Sequence, residues 1–124
     1  MKVAIIILSD PANESQESLG RVFNGLAAAY DFKQAEDDVK ILFQGTATRW
    51  PSVLLKEDHP AHGLYQAVAD RVEGVSCGCA DVFGSSEEAV KSGLELIKDN
   101  KVPGTSGLPS FRNLLIDGYT ILTF

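Results

Sequence analysis

Val3-Ala-Ile-Ile-Ile-Leu8, followed at once by Ser9-Asp10-Pro11, is the stretch on which the fold reading turns. Six consecutive apolar residues, most of them β-branched, suit a parallel strand covered on both faces. Met1-Lys2 ahead of them imitates a secretory leader. The run is nevertheless shorter than the ~7–15 residues of a leader's apolar core, and no small-residue cleavage site follows it. A buried strand accounts for it better.

Downstream, strand-like runs alternate with amphipathic helical ones, the pattern of a parallel α/β sheet. Asn13, with Gln16 three residues on, is placed to cap a helix whose apolar stripe is Leu19, Val22, Phe23, Leu26 and Tyr30. Asp38-Val-Lys-Ile-Leu-Phe43 reads as the second strand, closed by Gly45. Trp50 to Leu55 suggests a short helix, ended by His59-Pro60, and Leu64 to Val72 another, running up to Gly74. Val75-Ser76-Cys77 is a short third strand, and Ala80 to Phe83 a helical turn stopped at Gly84. Ser85 or Ser86 opens a helix with the stripe Val90, Leu94 and Ile97. Val102 is the candidate fourth strand. Ser110 caps a helix through Leu115, Gly118 ends it, and Tyr119 to Phe124 is a final strand suited to a sheet edge. The expected architecture is a three-layer α/β/α, Rossmann-like arrangement with a mainly parallel sheet of about five strands, in a single domain spanning residues 1–124.

Right-handed crossovers gather the loops at the carboxyl ends of parallel strands on one rim, where open α/β sheets bind ligands. That rim collects Ser9 to Glu14, Gln44 to Trp50 and Cys77 to Gly84. Asn13, Gly45 and Arg49 are therefore candidate binding residues.

Composition narrows the partners. With 44% hydrophobic and 23% charged residues, the 124-residue chain has the usual globular mix. Its net charge of −6, without a basic stripe, disfavours nucleic acid and anionic membranes. No apolar run approaches the ~20 residues of a membrane span. No Gly-x-Gly-x-x-Gly follows the first strand and Gly104-Thr-Ser-Gly107 lacks the Gly-Lys-Ser/Thr of a phosphate loop, so neither a dinucleotide nor any other cofactor is expected.

The chemistry rests on Cys77-Gly78-Cys79. Without a leader, the thiols are expected in a reducing cytoplasm. At a strand end entering a helical turn, unpaired N–H groups favour the nucleophilic thiolate. Gly78 and Ala80 leave room for another sulfur, and Arg49 would add positive charge. Cys77 is read as the exposed strand-end thiol, the first candidate for catalysis, and Cys79 as a resolving or acceptor thiol. The bland alternative, that both are small core residues, carries about equal weight. A disulfide across a two-residue step on a strand sits at the outer limit of bridging distance.

The whole chain resembles the DsrE/DsrF-like family of small sulfur-relay proteins. The resemblance runs through the apolar first strand with its Ser-Asp exit, then Phe43-Gln44-Gly45, then Gly74-Val75-Ser76-Cys77 with Gly84 after it. It ends with Val102-Pro103-Gly104, Leu114-Leu115 and Gly118-Tyr119. It implies a Rossmann-like sheet, assembly as homotrimers or homohexamers, and a cysteine carrying sulfur as a persulfide between donor and acceptor proteins. The carrier maps onto Cys77, while Cys79 departs from the pattern.

Two other readings stand beside sulfur relay. One is a non-catalytic oligomeric module that binds a small molecule or protein and buries the thiols in its interface. The other is a metal site built from Cys77, Cys79, His59 and His62, disfavoured by the tight Cys-x-Cys spacing and by Pro60 between the histidines, so that no metal ligand is assigned. Trp50 is either a partner contact or an anchor for its helix.

Overall fold

The structure is a computed structural model describing residues 1–13 and 15–124, the side chain of Asn13 excepted. Strands β1 (Lys2–Ile7), β2 (Asp38–Phe43), β3 (Val72–Ser76), β4 (Leu96–Ile97) and β5 (Thr120–Thr123) form one sheet in the order β4-β3-β2-β1-β5. Every pairing is parallel. Six α-helices are described: α1 (Gln16–Gln34), α2 (Trp50–Leu54), α3 (His62–Val68), α4 (Cys77–Val82), α5 (Ser86–Lys91) and α6 (Phe111–Ile116).

The two-residue period of a strand sends alternate side chains into different layers. Val3, Ile5 and Ile7 of β1, with Val39, Ile41 and Phe43 of β2, meet Val22, Leu26 and Ala29 of α1 and Tyr65 and Val68 of α3. Ala4, Ile6 and Leu42 face the opposite way, under Tyr119 and under Phe111 and Leu114 of α6. Val3 through Ile7 are at most 1% exposed, as a doubly covered strand requires. Each buried Ile contributes about 1.5–3 kcal/mol of transfer free energy. The three-layer α/β expectation is met, and β5 lies at the edge, paired only to β1.

Several local expectations are corrected. The cap of α1 is Ser15, whose hydroxyl accepts the Ser18 N–H at 3.0 Å; Asn13 belongs to a preceding 3-10 turn, Pro11–Asn13. The buried stripe of α1 is rotated from the one read in the sequence, leaving Phe23 43% and Tyr30 41% exposed. Gly25 and Ala29 lie on the inner face instead, because there the helix runs too close to the sheet for a large side chain: a Cβ on Gly25 would overlap Ile7 Cδ1. Strand β3 begins at Val72, and Cys77 is the first residue of α4 rather than the last of the strand. The fourth strand is Leu96–Ile97, not Val102. Helix α5 stops at Lys91 because Gly93, at φ +78°, turns the chain left-handed; Leu94 falls in the connection that follows and Ile97 leaves the helical stripe for the sheet. Val102 sits in a turn, its carbonyl accepting the Thr105 N–H.

Candidate functional site

The carboxyl rim brings together the segments that follow β1, β2 and β3. Ser76 ends β3 and caps α4, its hydroxyl accepting the Cys79 N–H at 3.3 Å. Both thiols therefore sit in the first turn of α4, and both are free. Cys77 is only 7% exposed, which corrects its reading as the open thiol; Cys79 is the more exposed of the two. Residues two apart on a helix do not face each other, so the pair is not built to exchange sulfur internally.

The room at Gly78 is also taken. The long loop after β4 closes on itself through an antiparallel bridge between Asn100 and Leu108 and folds back over α4. The Gly78 N–H donates to the Gly107 carbonyl at 2.7 Å. A Cβ on Gly78 would lie 2.9 Å from Leu108 Cδ1 and 3.0 Å from Gly107 O. The small residue between the thiols thus accommodates the chain's own loop rather than an incoming sulfur. Two of the N–H groups expected to face a thiolate are accordingly spent, one on Ser76 and one on Gly107. Ser106 secures the loop further by donating to the Asp81 carboxylate. Hydrogen bonds from Ser106 and Ser86 hold that carboxyl below its ordinary pKa.

Arg49 ties the three rim segments together, its donors taken up by Phe83 and Asp10. Its Nε and Nη2 donate to the Phe83 carbonyl at 3.2 and 3.0 Å, and its Nη1 lies 3.6 Å from the Asp10 carboxylate. Beneath it, the buried hydroxyls of Thr48 and Ser85 meet at 2.7 Å. Gly45 starts a 3-10 turn at φ +64°, a conformation that favours glycine, with open space where a Cβ would stand. The side chain of Asn13, another candidate, lies outside the described residues.

Trp50 is an anchor: 3% exposed, its indole N–H donates to Ser9, to the carbonyl at 2.9 Å and the hydroxyl at 3.1 Å. The rim also includes His59, which sequence spacing could not place. Its ring meets Trp50 edge-on, centroids 5.9 Å apart. Burial outweighs the nearby Asp58 and lowers the His59 pKa. His62 turns away, its Nδ1–H donating to the Leu54 carbonyl at 2.8 Å. Among the described residues no three His, Cys, Asp or Glu side chains come together as a metal site. Likewise no described helix is long and apolar enough to cross a membrane.

The sequence model of the DsrE/DsrF-like family matches residues 1–124, the whole chain. An uncharacterized protein of Methanocaldococcus jannaschii is 33% identical over 123 residues, covering 98% of this chain and 94% of its own. No solved structure matches the chain.

Proposed function

Because the chain belongs to the DsrE/DsrF-like family, we propose that it is a sulfur carrier holding sulfane sulfur as a persulfide on Cys79. The observation that carries this reading is the contrast between two free thiols in one helical turn, Cys79 partly exposed and Cys77 buried at 7% exposure. A nucleophile that must meet a second protein's sulfur needs the open position.

The Cys79 thiolate attacks the outer sulfur of a donor persulfide, the donor's sulfur–sulfur bond breaks, and the donor leaves as its thiolate. Delivery is the same exchange in reverse, with an acceptor thiolate attacking the sulfur on Cys79. Neither step needs an oxidant. Cys77 is then a packing residue of the first turn, and Arg49 positions α4 through Phe83 without touching the sulfur. The proposal includes a reducing cytoplasm, donor and acceptor proteins, and assembly of the chain with itself as a trimer or hexamer.

Mass spectrometry after incubation with glutathione persulfide tests it. A gain of about 32 Da, one sulfur atom, is expected on Cys79, kept in Cys77→Ser and lost in Cys79→Ser. An adduct confined to Cys77 overturns the assignment to Cys79. No adduct on either thiol overturns sulfur carriage and leaves a non-catalytic binding module, the reading that the burial of Cys77 favours.

A further inference from the structure

Between the start of α1 and helix α2 lies a cleft of about 290 Å³, away from the thiols and unused by the sulfur chemistry. Its walls are largely apolar: Pro11, Leu19, Trp50 and Val53, with His59 at one side. The cleft opens at the carboxyl ends of β1 and β2, where open α/β sheets place ligands. A cavity of roughly 150 Å³ holds one benzene ring, so this one has room for two fused rings.

The polar groups lining it constrain what enters. The indole N–H of Trp50 is spent on Ser9 and the Ser18 hydroxyl on the Asp10 carbonyl. The Ser15 hydroxyl oxygen already accepts the Ser18 N–H, leaving its proton to donate. His59 Nδ1 accepts the Ala61 N–H at 3.1 Å, which places the ring proton on Nε2. The groups left over are two donors, Nε2–H and the Ser15 O–H, and the exposed Gln16 amide at the mouth, which both donates and accepts. None of the described residues lining the cleft is Asp, Glu, Lys or Arg. Burial, the foremost influence on His59, lowers its pKa and so favours the neutral ring.

We propose that this cleft is a binding site for a neutral, planar, two-ring heteroaromatic molecule that presents a hydrogen-bond acceptor to His59. Trp50 and Leu19 enclose the rings, Val53 limits their length, and His59 selects for an acceptor atom over an N–H. The site is independent of Cys77 and Cys79, so its failure would leave the persulfide reading untouched.

Quinoline, with one acceptor nitrogen, and indole, of similar shape but bearing an N–H, are the two probes. Each is titrated into the ¹⁵N-labelled chain while amide and indole cross-peaks are followed; Trp50, the only tryptophan, supplies a unique indole signal. Saturable shifts confined to Leu19, Trp50, Val53, His59 and their chain neighbours are expected, with quinoline half-saturating near about 1 mM. Indole is expected to bind about fivefold more weakly, the worth of one neutral hydrogen bond, and His59→Phe to erase that difference. Val53→Trp, which fills the cleft without removing any hydrogen bond, should abolish both titrations. The proposal is overturned by quinoline shifts that stay linear to about 5 mM, by shifts centred elsewhere, or by an unchanged probe preference in His59→Phe. It is equally overturned if Val53→Trp, folded by its spectrum, still binds.

Discussion

Replacing Gly78 by Ala is the most direct test of whether the loop after β4 shelters Cys77. The new Cβ would stand 2.9 Å from Leu108 Cδ1, 3.0 Å from Gly107 O and 3.3 Å from Thr105 Cβ. The Leu108 methyl ends a flexible side chain and can rotate aside. The Gly107 oxygen cannot, because the Gly78 N–H holds it at 2.7 Å, so the loop has to lift. Lifting it gives up one hydrogen bond and its packing, within the ~1–3 kcal/mol usual for overpacking. The helix preference of Ala over Gly, up to about 1 kcal/mol, offsets part of this. The remaining ~1–2 kcal/mol falls on the loop and raises its open population about 5–30-fold.

Iodoacetamide labelling of the native chain, read peptide by peptide, measures that population when reclosing is fast. Cys77 in Gly78→Ala should label about 5–30 times faster than in the parent, with Cys79 little changed and the global urea midpoint moved less than the labelling implies. An unchanged Cys77 rate would show that the loop is not its cover. A midpoint falling in full proportion to the labelling would show that Cys77 reacts only through global unfolding, and the local argument would fail with it.

Two further outcomes follow from the packing. Burial foremost, then a 2.7 Å hydrogen bond to the Asp38 carboxylate, pushes the Tyr119 phenol up to about 12. The folded value exceeds the ordinary 10.0, so the associated stability is fully present below pH 10 and is lost as pH rises toward 12. An absorbance titration of phenolate should show a late phase that Tyr119→Phe removes and Asp38→Asn brings partly down; a late phase insensitive to Asp38→Asn would refute the contribution of Asp38 and leave burial alone. Gly25→Ala should destabilise the chain by about 1–3 kcal/mol in urea unfolding despite the better helix former, since the methyl meets Ile7 Cδ1 in a fully buried wall. A stabilised variant would show that α1 can shift away from the sheet.

Much of the fold is legible in local pattern. The unbroken Val3-to-Leu8 run, the Asp38-to-Phe43 run and the Ser110 cap each follow from side-chain chemistry within a few residues, and the structure agrees with them except at Leu8, which lies past the end of β1 and is 38% exposed. The errors occur where two patterns compete. Val90, Leu94 and Ile97 fit a helical stripe, yet Gly93 breaks it and sends the last of them into β4. Leu19, Phe23 and Tyr30 belong to an apolar arc wider than the sheet can cover, and the small residues Gly25 and Ala29 decide which side of α1 packs closest.

At the candidate site, sequence alone placed Cys77 and Cys79 at the carboxyl rim and brought Arg49 to the same edge, because strand order in a parallel sheet sends those exits one way. It could not say which thiol solvent reaches, where Arg49 spends its donors, or that His59 stands against Trp50. Those depend on contacts between segments about 30 residues apart in sequence, such as Gly78 with Gly107 and Arg49 with Phe83, and no local periodicity encodes them. Burial is a property of what covers a residue, and in this protein the cover of the thiol turn arrives from a different stretch of chain.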